Sequence, residues 1–135
     1  MHLEFGNVKT LDTNETGWFI GFSDWTKEGP CLRYVATDQK IDGLCVKWMQ
    51  HPVGDRRGDG KPVSTGRTIS MLVSETGAFR LEFSEEDFCA DSRVQSYTLR
   101  QQGDFVIWGA GLFHRSIVES KSTILTIRWE LETGK

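Results

Sequence analysis

His114 sits in GDFVIWGAGLFHRS, residues 103–116, where an apolar run meets a glycine-rich turn and then a histidine beside an arginine. An imidazole changes charge near neutral pH, so this side chain is equipped to move a proton, contact a ligand or hold a metal. Alternation along a strand puts His114 on one face with Ser116 and Val118, while Phe113, Arg115 and Ile117 take the other. His114 is therefore the candidate catalytic residue. A histidine satisfied by Ser116, Tyr97 or a backbone group inside a filled core is the competing expectation.

The other histidines are His2, at the start of the chain, and His51, which precedes Pro52 at the end of an apolar run. His51 shares its parity with Lys47 and Met49, so Lys47 is a candidate anion contact beside it. Trp108 directly precedes the glycine turn and is either a pocket wall or core. His51, Trp108, Ser116, Lys47 and Tyr97 form the candidate ligand-binding set. First-row metals need three or four convergent N, O or S donors. Only His51 and His114 could meet, with Cys45 or a distant carboxylate as a further donor, so no metal or cofactor is expected; if a metal does bind, these two histidines are its ligands. Cys45 as a nucleophile near His51 competes with an inert buried thiol. Arg67 and Arg128 lie in strand-like runs, where a guanidinium could grip an anion; Arg128 is expected to point outward to Glu130 or Glu82. No GxSxG elbow, Walker loop or HExxH is present, and GDGK at 58–61 lacks the phosphate-loop spacing.

These residues need strands to position them. Short runs rich in aromatic and β-branched residues, at 17–22, 31–36, 43–50, 67–73, 78–83, 95–99, 105–108, 113–118 and 123–130, are expected strands. Phe79, Leu81 and Phe83 alternate with Arg80 and Glu82, the pattern of one core face and one wet face. The segment 51–66 is expected to be a long loop. The acidic stretch 84–92 is either one helical turn or a hairpin tip. Nine short strands argue for a closed barrel or sandwich.

With 135 residues, 16 basic and 19 acidic, the chain fits one domain with a net charge of −3. That balance gives no general attraction to nucleic acid or to anionic membranes. The opening MHLEFGNVKT has no basic region leading into an apolar run, and Cys31, Cys45 and Cys89 form no CxxC. A cytoplasmic protein without disulfides is expected.

Residues 103–114 resemble the second motif of the cupin superfamily: Gly103, five residues, Gly109 in place of the usual proline, Ala110, Gly111, two residues, His114. The resemblance implies an all-β, cupin-type jelly-roll β-barrel (double-stranded β-helix) over residues 1–135. Its core barrel would be 43–130, with N-terminal strands within 1–42 packing on it or swapping across it. In the first cupin motif, Gly77 matches the hairpin glycine, Ser70 falls at the glutamate position, and Ser64 or Thr65 falls near the histidines. Three of four usual ligands are thus replaced, as in a small cupin-like group without assigned function. The expected function is small-molecule binding without a complete metal site. A metal-independent isomerase or lyase using His114 as acid/base is the first alternative, and a metal-dependent enzyme using His51 and His114 is the second. The related epimerases' His–Asp–Tyr arrangement would call on Tyr97 and Asp104. A homodimer is expected, with the aromatic GWFIGFSDW (17–25) supplying an extra strand.

Overall fold

The computed structural model describes residues 2–58, 63–88 and 93–132. Cys89, residues 59–61 of the GDGK motif and part of the acidic stretch lie outside the described residues. Among the described residues nine strands form and no helix: β1 (Leu3–Asn7), β2 (Ile41–His51), β3 (Arg56–Arg57), β4 (Arg67–Leu72), β5 (Thr76–Ser84), β6 (Gln95–Gln101), β7 (Asp104–Trp108), β8 (Phe113–Ser120) and β9 (Ser122–Leu131).

They pair antiparallel in a five-stranded sheet ordered β1-β7-β4-β9-β2 and a four-stranded sheet ordered β3-β8-β5-β6. Setting β1 aside, eight strands divide between the two sheets in the double Greek-key order of a jelly roll, the architecture of cupins. The expected fold class is the observed one.

Strand parity divides the apolar residues between two cores. Val106 and Trp108 of β7 face the opposing sheet and pack with Leu72, Phe79, Leu81 and Phe83. Phe105 and Ile107 face the other way and pack with Ile69, Met71 and Trp129. Both faces of β7 are therefore dry, which is why FVIW is uninterruptedly apolar where most strands alternate.

The second core is covered by residues 8–40, and here the expected strands do not form. Segments 17–22 and 31–36 meet only in an isolated parallel bridge between Gly21 and Tyr34. The segment crosses the outer face of the five-stranded sheet, laying Phe19, Ile20, Leu32 and Val35 on it. Crossing a face leaves no sheet edge to pair with, so side chains satisfy its carbonyls. Arg33 Nη1 donates to Phe19 O at 2.9 Å, and Arg67 Nη1 donates to Leu32 O and Tyr34 O at 3.2 and 3.1 Å. Arg67 thus ties down the covering layer rather than presenting an anion fork. Burial lowers its pKa by disfavouring the charged guanidinium.

Two strands lie outside the expected set. β1 pairs with β7, placing Leu3 against the inter-sheet core and Phe5 on Tyr97. β3, within the expected long loop, pairs Arg56 with Ile117 and Arg57 with Ser116.

Candidate functional site

The β2 and β3 edges of the two sheets lie on one side of the sandwich, and a cavity of about 70 Å³ opens there between the sheets. Its polar wall carries Lys47 and His51 from β2, Arg57 from β3, and His114 and Ser116 from β8; Thr68, Ser70 and Thr126 add hydroxyls from β4 and β9. Phe79, Leu81, Trp108 and Ile124 form its apolar wall. A larger open cleft, about 660 Å³, lies beside the 109–112 turn; among the described residues it gathers only His2, Arg67 and Glu85 as titratable groups.

His51 is buried, and its Nδ1 lies 2.8 Å from Asp55 Oδ2. An ionised carboxylate only accepts, so Nδ1 carries the proton and Nε2 of a neutral ring carries the lone pair. The same carboxylate oxygen accepts from Arg57 Nε at 2.9 Å. The His51 hydrogen bond first, and the Arg57 hydrogen bond second, hold the Asp55 carboxyl below the usual aspartate range. The ring of His51 also packs at 5.0 Å from that of Phe79, which fixes its plane.

His114 is held differently. Trp108 Nε1 donates to Ser64 Oγ at 3.2 Å, and that hydroxyl lies 3.5 Å from His114 Nδ1. The Ser64 hydroxyl, which accepts from the indole, keeps its own proton and a second lone pair, so it can serve His114 Nδ1 in either tautomer. The Trp108 and His114 rings pack with centroids 4.9 Å apart. Trp108 is 1% exposed and lines the cavity, so it is both core and pocket wall.

Two turns hold these strands in place. Gly111 adopts φ +91° in the 109–112 turn, whereas Gly109, at the usual proline position, has no positive φ. Gly58 adopts φ +103°, and a Cβ there would stand 2.6 Å from His114 O. The close approach of β3 to β8 thus requires glycine beside Arg57.

Of the sequence candidates, His51, Lys47, Trp108, Ser116 and His114 line one cavity. Tyr97 does not. It stacks on Phe5 with centroids 4.4 Å apart, closing the β6–β1 side of the sandwich, away from β2 and β3. Burial, and then the Asp104 charge, raise its hydroxyl pKa. Asp104 is used in the β6–β7 turn, where Oδ2 accepts the Arg100 and Gln101 N–H groups at 3.0 and 2.9 Å. Its Oδ1 accepts from Asn7 Nδ2 at 2.9 Å. Tyr97 and Asp104 therefore form no triad with His114. Cys45 is exposed on β2 instead of buried, and it does not line the cavity. Arg128 pairs with Glu130 at 3.4 Å, while Glu82 takes Arg115 at 2.7 Å.

Sequence reasoning missed Asp55 and Arg57. Their signal was faint: an acidic residue four positions after a histidine, inside a segment composed like a loop. Ser70, at the glutamate position of the first cupin motif, does line the cavity, with its Oγ 2.9 Å from Thr126 Oγ1. Thr65 bonds Glu130. Among the described residues, no three His, Cys, Asp or Glu side chains gather as a metal requires. The hydroxyl-rich donor set does not fit a cupin metal centre.

No protein-family model matches this chain, and no curated protein matches it. Solved structures similar to it include Drosophila melanogaster CENP-C bound to CAL1, at 15% identity over 62% of each chain with a TM-score of 0.44. Another is dTDP-4-dehydrorhamnose 3,5-epimerase from Bacillus anthracis with TDP and PPi bound, at 16% identity and a TM-score of 0.44, covering 71% of this chain and 56% of that one. This chain thus spans 62% and 56% of the lengths of those two solved chains. The class that strand order defines is a cupin-type jelly roll.

Proposed function

We propose that this cupin-type domain binds a small molecule in the inter-sheet cavity and does so without a metal. The observation that carries the reading is the convergence of Lys47, His51, Trp108, His114 and Ser116, drawn from three strands, on one amphipathic cavity. Such a cavity, with an apolar wall and a few oriented polar groups, is the usual form of a ligand site. The first measurement is metal content by ICP-MS on untagged protein and on His114→Ala, followed by a thermal-shift ligand screen on both. The expected result is metal-free protein with ligand-dependent stabilisation that the substitution abolishes. Near-stoichiometric metal that falls in the variant would overturn the metal-free reading.

A second reading, metal-independent isomerase or lyase chemistry, is favoured by the Asp55–His51 pair facing the same cavity as His114. With Asp55 on Nδ1, His51 has the orientation of a general base. That assignment gives His51 the base role and leaves His114 as its complement.

We also infer a homodimer through β2. This edge strand exposes Leu44, Val46 and Trp48, the last at 65%. An antiparallel pairing of two copies centred on Val46 sets Leu44 opposite Trp48 and Cys45 opposite Lys47, with no like charges facing. A long apolar edge left open is an invitation to pairing.

A further inference from the structure

We propose that the ligand of this cavity carries an amide group, primary or cyclic, whose N–H donates to His51 Nε2 and whose carbonyl accepts from Arg57. The assignment rests on the ligand-binding reading above and adds the chemical class.

Unmet hydrogen-bonding groups define what enters the cavity. His51, Thr68 and Ser116 line it and are 4%, 8% and 7% exposed. Among the described residues, His51 Nε2, Thr68 Oγ1 and Ser116 Oγ take no partner, yet none of them is a sealed, unpartnered atom of the interior. These atoms therefore open onto the cavity. A ligand that excludes water and leaves such a group unmatched loses about 1–3 kcal/mol, so it must answer each one. Other polar groups of this wall are engaged, Ser70 with Thr126 and His114 with Ser64.

At two points the role is fixed. His51 Nδ1 gives its proton to Asp55 Oδ2 at 2.8 Å, so Nε2 of the neutral ring accepts and does not donate. Arg57 Nε gives its proton to the same oxygen at 2.9 Å, and among the described residues its terminal nitrogens make no hydrogen bond. A guanidinium only donates. Asp55 thus sets an obligatory acceptor beside an obligatory donor. Ser116, directly opposite Arg57 across the β3–β8 ladder, adds a hydroxyl that serves in either role.

The functional group follows from this pair. A carboxylate only accepts, and at His51 Nε2 lone pair would meet lone pair. An ammonium only donates and would face the Arg57 N–H groups. Nε2 and the Arg57 terminal nitrogens lie on the far sides of their groups from the shared oxygen, so two neighbouring ligand atoms span them better than one hydroxyl. An amide has that donor and acceptor on adjacent atoms and carries no charge. Its carbon substituent lies against Phe79, Leu81 and Trp108 on the apolar wall.

The test is an NMR titration of the full chain, reading the His51 ring nitrogens and the Arg57 Nε resonance. Two isosteric pairs serve as probes: 2-pyrrolidone against γ-butyrolactone, and acetamide against acetate. Cyclopentanol supplies donor and acceptor on one atom. Arg57→Met is compared with Arg128→Met, which alters only exposed contacts. The expected result is an unprotonated His51 Nε2 in the free protein and saturable movement of both residues with the two amides. Lactone and acetate should bind at least tenfold more weakly, and R57M, but not R128M, should weaken 2-pyrrolidone at least tenfold. A free His51 protonated at Nε2, a lactone that equals the lactam, or acetate that equals acetamide overturns the amide assignment while the ligand-binding reading stands. Cyclopentanol binding ahead of 2-pyrrolidone overturns it in favour of a hydroxyl ligand. If no probe moves His51 but the thermal-shift screen yields other ligands, the amide assignment alone fails; if that screen is empty as well, both fail. Should R57M not fold, the isosteric contrasts in the unaltered protein decide.

Discussion

His51 Nδ1 and Asp55 Oδ2 lie 2.8 Å apart across the junction of β2 and β3, and the same oxygen accepts from Arg57 Nε at 2.9 Å. One carboxylate therefore sets the orientation of a buried imidazole and a guanidinium at the mouth of the cavity. Removing it releases both.

Asp55 makes stability depend on acid pH. Its folded pKa is lowered, by the His51 hydrogen bond before the Arg57 hydrogen bond. Its contribution is therefore present above the ordinary aspartate value of about 3.9 and is lost as pH falls through the folded value. Melting temperatures of the native protein and Asp55→Asn, measured from pH 7 to pH 3, should show a gap at neutral pH that closes below about pH 4. A gap that stayed constant over that range would mean that the carboxylate charge is not what the fold uses.

Gly58 lets β3 approach β8 at the cavity. Gly58→Ala adds a Cβ 2.6 Å from His114 O at φ +103°, while Gly17→Ala places one in open space at φ +84°. Backbone strain alone costs about 1–2 kcal/mol. Urea unfolding should show a loss of about that size for Gly17→Ala and a clearly larger one for Gly58→Ala, with the His114 ring resonance displaced only in the latter. Equal losses would show that β3 yields freely.

Trp108 and Ser64 support His114 in separable ways. Trp108→Ala removes a side chain that is 1% exposed and should cost about 3–5 kcal/mol. Ser64→Ala leaves the indole N–H without its acceptor and should cost about 1–3 kcal/mol. If Ser64→Ala is neutral in denaturant but still moves the His114 proton in NMR, the serine acts on the imidazole rather than on the fold.

Trp48 reports on self-association. Trp48→Glu sets a carboxylate in the apolar row of β2 beside Val46, and in the paired dimer opposite the second copy's Leu44. Light scattering at micromolar concentration should give a dimer for the native chain and a monomer for the variant. A native chain that remains monomeric at 100-fold higher concentration would exclude β2 pairing as the mode.

The sequence by itself determined which residues alternate, and hence seven of the strands from β2 onward to within a few residues of their ends. Period-two alternation is a local property of the pleat, so Phe79, Leu81 and Phe83 face one way whatever surrounds them. It also grouped His114 with Ser116 and Lys47 with His51, because same-face relations within one strand need no partner. Tertiary structure decided what each face meets. Residues 17–22 and 31–36 have the composition of strands, yet they cross a sheet face, where no edge offers backbone partners. β3 spans only two residues, too few for a pattern, and exists because Ile117 and Ser116 pair with it. Tyr97 and His114 both belong to the four-stranded sheet, but its strand order sends one to the closed side and the other to the cavity. The bond from Asp55 to His51 and Arg57 depends on the path of the chain between β2 and β3. No periodicity encodes that path, and only the packing of the two sheets fixes it.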